Sequence, residues 1–194
     1  MTPYTNKQIA IFHAALNLIQ EYGFHGTPVS AVAEKANVAT GTIYHYFKGK
    51  DQLLQELFLY CRQQLMEVTV AAAATKCDYK EKFESIWNGH FNFYIKNPEI
   101  LIFFEQYSNS PFSENKQNQS LKSGPLLEFI SKGIEKGLLK DLAVDIILIQ
   151  ILSNCVTYAK LHLFSKQKLS ETKIQDIIAM TWDAISLSHK PEPQ

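Results

Sequence analysis

The chain has 194 residues, enough for one large or two small domains with their own cores, and its 19 basic side chains balance 19 acidic ones. A formal net charge of zero excludes polyanion binding by the whole surface, so any nucleic acid must be met by a local patch. Cys61, Cys77 and Cys155 are odd in number and widely spaced, which excludes a disulfide framework or metal-ligand spacing and reads as small buried hydrophobes in a reducing cytosol.

Residues 1–5 read as a loose polar tail. A first helix is expected over Asn6–Tyr22, with Ile9, Phe12, Leu16 and Ile19 as its apolar stripe and Gly23 as its stop. Phe24 is expected to fold back near Phe12 and Phe47, and His13 and His25 read as solvated or core-edge residues. The stretch from Thr27 to Lys50 reads as two short helices joined by a tight turn, followed by the start of a longer helix. Thr27 suits an N-cap and Pro28 the first helical position. Val29, Val32 and Ala33 give that helix an apolar face. Asn37 suits the turn, because asparagine tolerates the left-handed conformation. Thr40 is expected to cap the next helix, which points Ile43 and Phe47 inward and leaves Thr40, Gly41, Thr42, Tyr44, His45 and Tyr46 outward. Small residues at one end and polar aromatics after them are what a helix in the major groove requires: close approach, then donors for phosphates and base edges. Lys48 and Lys50 add local positive charge beside helix N-termini. Arg62 is the only arginine, so the commonest guanine reader is missing from these helices.

The string V-A-T-G-T-I-Y-H-Y-F-K-G-K-D-Q-L resembles the signature of the tetracycline-repressor (TetR) family, which reads roughly V-S-x-G-T-L-Y-x-Y/H-F-x-x-K-E-x-L. The likeness runs from near Ile9 through Leu54 and rests on Gly41, Tyr44, Phe47, Lys50 and Leu53 at fixed offsets. Two positions depart from the pattern. Asn37 stands where the turn usually has glycine, and Ala39 where a serine usually precedes the recognition helix, so Thr40 would have to supply both cap and phosphate-contacting hydroxyl. The resemblance implies a double-stranded DNA operator as partner, bound through Thr27, Ser30, Thr40, Gly41, Thr42, Tyr44, His45, Tyr46, Lys48 and Lys50. Within that set Thr27, Tyr44, Tyr46 and Lys50 would mainly meet phosphates, and Thr40, Gly41, Thr42 and His45 base edges.

From Lys50 to about Ala74 no Pro or Gly interrupts a helix whose apolar positions are Leu53, Leu54, Leu57, Phe58, Cys61, Leu65 and Val68. An unbroken helix of that kind can transmit a displacement rigidly. Further helices are expected over 78–96, stopped by Asn97-Pro98, and over 98–108. The stretch 108–124 is polar and loop-like, with a second half compatible with helix. Helices then follow over 125–136, over 141–166 with Asp141 as cap, and over 170–187, before a disordered tail from His189 to Gln194. Nothing alternates with period two, so the expected fold is all-α: an N-terminal three-helix helix-turn-helix DNA-binding domain over 1–50 and a C-terminal helical domain for effector binding and dimerisation over 51–194. No apolar run looks long enough to span a bilayer and no cationic-then-apolar leader opens the chain, so a cytoplasmic protein with no membrane partner is expected.

Phe83, Trp87, His90, Phe91 and Tyr94 share one side of a helix, and Phe103, Phe104 and Tyr107 follow on the next. Gln150, Asn154 and Tyr158 are polar positions in the long helix after them. An aromatic space with a few polar groups suits a small molecule, although the same stripe would serve as plain core. The resemblance implies an effector there, largely hydrophobic, with Trp87, His90, Phe91, Tyr94, Phe103, Phe104, Tyr107, Asn154 and Tyr158 as ligand residues; Glu105 and Lys160 would meet a charged group or solvent. The last two helices carry more apolar surface than one buried stripe needs. The resemblance implies a four-helix dimer interface using Ile149, Val156, Ile177, Ile178 and Trp182, residues that could also fill the monomer core. A homodimer is expected because one short recognition helix offers little contact, whereas two set about 34 Å apart, or a multiple of it, read a pseudo-palindrome. Neither a Walker loop nor GxSxG nor HExxH occurs, and the six histidines are scattered, so no enzyme, metal or cofactor is expected. The reading is a ligand-responsive DNA-binding repressor released by its effector. The alternatives are a helical small-molecule or protein binder with a degenerate DNA reader, and a helical enzyme whose site carries no recognisable motif.

Overall fold

The structure, a computed structural model, describes residues 3–111 and 123–187; the loop expected over much of 108–124 and the C-terminal tail fall largely outside them. Among the described residues the elements are α1 (Asn6–Tyr22), α2 (Val29–Lys35), α3 (Thr40–Tyr46), α4 (Lys50–Ala73), α5 (Tyr79–Lys96), α6 (Pro98–Ser108), α7 (Pro125–Glu135), α8 (Val144–Phe164) and α9 (Glu171–Ile185). The one β feature among them is an isolated antiparallel bridge between Leu139 and Ser186. The all-helical expectation holds. The chain divides into two compact units, Met1–Gln63 with Asn97–Gln119 and Gln64–Lys96 with Ser120–Gln194. Helix α4 contributes to both, and α6 belongs with α1–α3.

In the first unit α1 starts on a capping box: the Thr5 hydroxyl accepts the Gln8 N–H, and the Gln8 side chain accepts the Thr5 N–H. Such a cap contributes about 1 kcal/mol. The helix stops at Gly23, whose φ of 69° lies in the region where glycine is favoured. Ile11, Phe12, Leu16 and Ile19 are buried, and Phe12 meets Phe47 with ring centroids 5.7 Å apart. Phe24 departs from expectation. It packs on Phe103 of α6, at 5.7 Å, because the Gln106 side chain holds the chain there. Gln106 Oε1 accepts the Phe24 N–H at 3.0 Å while its Nε2 donates to the Ile19 carbonyl at 3.3 Å. One side chain thus serves the Phe24 N–H and adds a second donor to the Ile19 carbonyl, which already accepts the Gly23 N–H at 2.9 Å.

In the second unit α5 packs against α8, and α7 and α9 complete the layer. Helix α8 turns Ile147, Ile151, Cys155 and Ala159 inward at four-residue spacing. It begins at Val144, three residues later than the Asp141 cap expected from sequence. The reason lies in the residues before it. Leu138 and Lys140 are held by the end of α9, through Lys140 N–H to the Ile185 carbonyl (2.9 Å) and Leu187 N–H to the Leu138 carbonyl (3.1 Å). Helix α9 is capped by Ser170, which accepts the Lys173 N–H. On length and composition alone α8 could cross a membrane, contrary to the expectation that no run is long enough; its inward face instead serves the packing just described.

Tyr79 stacks on Phe129 at 4.3 Å and donates its hydroxyl to the Phe129 carbonyl. Gly133 makes room for this contact: a Cβ there would run into the Tyr79 hydroxyl and lie 2.7 Å from Leu139 Cδ1. Gly133→Ala should therefore destabilise the protein by about 1–3 kcal/mol through overpacking. The expected result in a thermal melt is a Tm lower by several degrees; an unchanged Tm would refute the close packing of α7 on Tyr79.

Candidate functional site

Helices α2 and α3 are each only seven residues long, too short to stand alone in water. Their shape comes from the turn and the core. Asn37 adopts φ 52°, and the N–H groups of Asn37 and Val38 close on the carbonyls of Glu34 and Ala33. Val32, Ala33, Ile43 and Phe47 are each at most 1% exposed and fix both helices to the first unit.

What remains outward on α3 is Thr40, Gly41, Tyr44 and His45, with Thr42 and Tyr46 half-buried. Tyr44 is 55% exposed. Tyr46 is braced between His45 and Phe47, at 5.3 and 6.3 Å. Ala39 occupies the N-cap position of α3 and no side chain caps it, so Thr40 is the first helical residue and not the cap expected. A Cβ added to Gly41 would meet nothing within 4 Å. The protein's own packing does not require a glycine there, although glycine disfavours a helix by about 1 kcal/mol relative to alanine.

Two predicted phosphate contacts are turned inward. Thr27 is 3% exposed, and its hydroxyl donates to the Gly23 carbonyl at 2.8 Å. Pro28 takes the N-cap position of α2 instead. The Thr27 hydroxyl satisfies that Gly23 carbonyl just past the end of α1. Lys50 donates its ammonium to the Phe24 carbonyl, and partial burial lowers its pKa. Ser30 and Lys48 are exposed. The Lys48 N–H is met by Gln52 Oε1 at 2.7 Å, which orders the entry to α4.

The predicted ligand residues divide between the units. Phe103 and Tyr107 are buried in the first unit with half-buried Phe104; Phe58 stacks on Tyr107 at 4.4 Å and meets Phe104 edge-on at 5.6 Å. Trp87, His90, Phe91 and Tyr94 line one face of α5 in the second unit, each at most 4% exposed. Asn154 and Tyr158 are half-buried on α8, and the Asn154 amide is spent on the Gln150 carbonyl. His90 Nε2 pairs with Thr69 Oγ1 at 2.7 Å, and burial lowers its pKa to about 4, so the ring is neutral at physiological pH. Of the predicted dimer residues, Ile149 is 61% exposed, Val156 and Trp182 are half-buried, and Ile177 and Ile178 lie in the subunit's own core. The exposed apolar residues of α8 are Ile146, Ile149, Leu161 and Phe164, joined on α9 by Met180. Sequence reasoning missed Gln106 and Thr69. Their contacts reach across 82 and 21 residues, and no local pattern marks them.

A family model described as bacterial regulatory proteins of the tetR family matches residues 11–57, and one described as a tetracyclin repressor-like C-terminal domain matches residues 78–186. A helix-turn-helix-type transcriptional regulator of Haemophilus influenzae is 28% identical over 176 residues, covering 90% of this chain and 93% of the relative. The fatty acid metabolism regulator protein of Bacillus subtilis is 32% identical over 139 residues, covering 70% and 72%. The crystal structure of a TetR-family transcriptional regulator from Haemophilus influenzae superposes with a TM-score of 0.84 at 26% identity, over 94% of this chain and 97% of that one.

Two outcomes follow from this geometry. Gly41→Ala should raise or leave unchanged the melting temperature, since the methyl group meets open space and improves helix propensity; a clear loss of stability would contradict the open surroundings. His90 has a folded pKa of about 4 against an ordinary 6.5, so the unfolded chain binds the extra proton between those values. Its contribution to stability is present above pH 6.5 and is lost as pH falls toward 4. Denaturant midpoints across that window should fall, and His90→Gln should flatten the slope; an equal slope in the variant would remove His90 as its source.

Proposed function

The chain belongs to the TetR family of bacterial regulatory proteins and is a transcriptional regulator with a DNA-binding helix-turn-helix, not an enzyme; from that premise we propose that it works in the cytoplasm as a dimeric, ligand-responsive repressor. Residues 1–50 read the DNA, and residues 51–194 bind the effector and dimerise. The observation that carries the DNA reading is the outer face of α3. It is free of acid, it is polar and aromatic, and it holds a glycine that the protein's own packing does not need. A bare backbone at Gly41 lets base edges or phosphates approach closely. Thr40, Thr42 and His45 read bases; Tyr44, Tyr46, Ser30 and Lys48 hold phosphates. Thr27 and Lys50 act from behind, fixing the chain between α1 and α2.

The exposed apolar residues of α8 and α9 support dimerisation. Ile146, Ile149, Leu161, Phe164 and Met180 are between 46% and 65% exposed in one subunit, an arrangement that a partner copy would cover. Val156 and Trp182, half-buried on the same two helices, complete the proposed interface. Two α3 helices then meet successive major grooves of a pseudo-palindrome. The effector is small and largely hydrophobic, and Trp87, His90, Phe91 and Tyr94 surround it. The name of the Bacillus subtilis relative, a fatty acid metabolism regulator, supports a chain-like apolar molecule. Release requires the effector to prefer a conformer in which the two α3 helices no longer match the half-sites. By linkage, operator binding must then weaken effector binding by the same factor.

Selection of bound duplexes from a random pool, at stated salt, tests this reading. A palindromic consensus is expected, and no enrichment even at low salt would refute it. Tyr44→Ala should weaken binding to all sequences alike, while His45→Ala should relax the consensus at one or two positions; a base-selective loss in the first, or an unchanged consensus in the second, would reverse those assignments.

A further inference from the structure

Helix α3 carries none of the side chains that most often tell one base pair from another. Its seven residues, Thr40–Tyr46, include no arginine, lysine, asparagine, glutamine or acid. Arginine and lysine hold guanine, and asparagine and glutamine hold adenine, through two hydrogen bonds at once, while acids accept from the cytosine amino group. Elsewhere in the chain these types are placed apart from the outer face of α3. The only arginine, Arg62, is half-buried on α4. Lys50 is turned to the Phe24 carbonyl, and Asn37 and Lys48 lie beyond the two ends of α3.

Helical geometry sets what α3 does offer. Successive residues step about 100° around a helix. With Ile43 buried, Gly41 and His45 fall at the middle of the outer face, Thr42 to one side of them and Tyr44 to the other, and Thr40 opens the first turn. Thr40 is exposed and Thr42 half-buried. Between them the backbone of Gly41 is bare, since a Cβ there would meet nothing within 4 Å. The N-terminal turn of a recognition helix is the part that reaches base edges. Each of these threonines brings a hydroxyl and a methyl group. The hydroxyl donates or accepts and so chooses no base. The methyl does choose, because among the four bases only thymine puts an apolar group, its C5 methyl, into the major groove. The single N–H of a neutral His45 ring meets an N7 acceptor that stands on adenine and guanine alike. Selection of a T·A pair over its rivals therefore falls to methyl contact.

We infer that the half-site is read as thymine through its C5 methyl: Thr40 and Thr42 flank the bare backbone of Gly41 and close on thymine methyl groups in the major groove, which gives an A·T-rich half-site with no guanine held by two hydrogen bonds. This rests on the DNA reading above and names the base pairs it selects. The two threonines are then the residues that set specificity, each through its methyl group.

The test uses the full-length protein and the consensus duplex recovered by the random-pool selection. Each consensus thymine is replaced in turn by deoxyuridine, which removes the methyl and keeps every hydrogen-bonding atom. At two or more positions of each half-site binding should weaken about 4-fold per methyl lost, the value of one buried methyl group. Thr40→Ser and Thr42→Ser keep the hydroxyl and lose the methyl, so each should erase the thymine–uracil difference at its own position. Thr42→Val keeps the methyl and loses the hydroxyl, and should retain that difference. The readout is the ratio of two duplexes on one protein. A purely structural role for the threonines would change binding to both duplexes and leave their ratio in place. Equal binding of thymine and uracil at every consensus position, a difference that persists in both serine variants, or a half-site consensus made of G·C pairs would overturn the inference and leave the DNA reading standing. No enrichment from the pool, even at low salt, would remove both.

Discussion

The burial of Ile43 and Phe47 is the constraint on which the reading surface depends. A seven-residue helix pays the nucleation cost of helix formation without the length to recover it, so α3 has no stability of its own. It exists because these two side chains are at most 1% exposed, Phe47 with its ring 5.7 Å from that of Phe12. That leaves the outer positions out of the core. Thr40, Gly41, Tyr44 and His45 can therefore be chosen for contact with a partner, because the opposite face of the same helix carries the packing. Gly41 makes the point most directly, since it weakens the helix and no neighbouring atom explains it.

Gln106 extends the same constraint to a later part of the chain. By accepting from Phe24 and donating to Ile19 it ties α6 to the end of α1. Lys50 and Thr27 act on the same junction, on the carbonyls of Phe24 and Gly23. Three side chains that a motif would assign to phosphates or leave unassigned thus meet at the α1–α2 corner. Their work is to set where α2 and α3 begin.

The second unit solves a different problem. Its helices bury aromatic residues along α5 and keep His90 neutral, yet leave nitrogen atoms of Trp87 and His90 without hydrogen-bond partners. An apolar core in which a few donors wait for acceptors is poorly optimised for stability alone.

The sequence by itself determined the all-helical class, the bounds of α1 and α6, the turn at Asn37, and the inward direction of Ile43 and Phe47. Each of these follows from local periodicity, from φ preferences, or from cap and stop residues that act within a few positions. It also carried the outer set on α3, because a helix with one buried face declares the other. Tertiary structure decided the rest. Whether the Thr27 hydroxyl or the Lys50 ammonium faced outward depended on the carbonyls of Gly23 and Phe24 at the α1–α2 corner, which no spacing reports. The aromatic residues of α5 and α6 form one continuous pattern in sequence and yet belong to different packing units, since a helix face is assigned by what packs on it. Ile177 and Ile178 are as apolar as Ile149, and only burial separates core from surface among them. The unpaired nitrogens of Trp87 and His90 have no sequence signature at all: a missing partner is a property of the neighbours brought together by the fold, not of the residue.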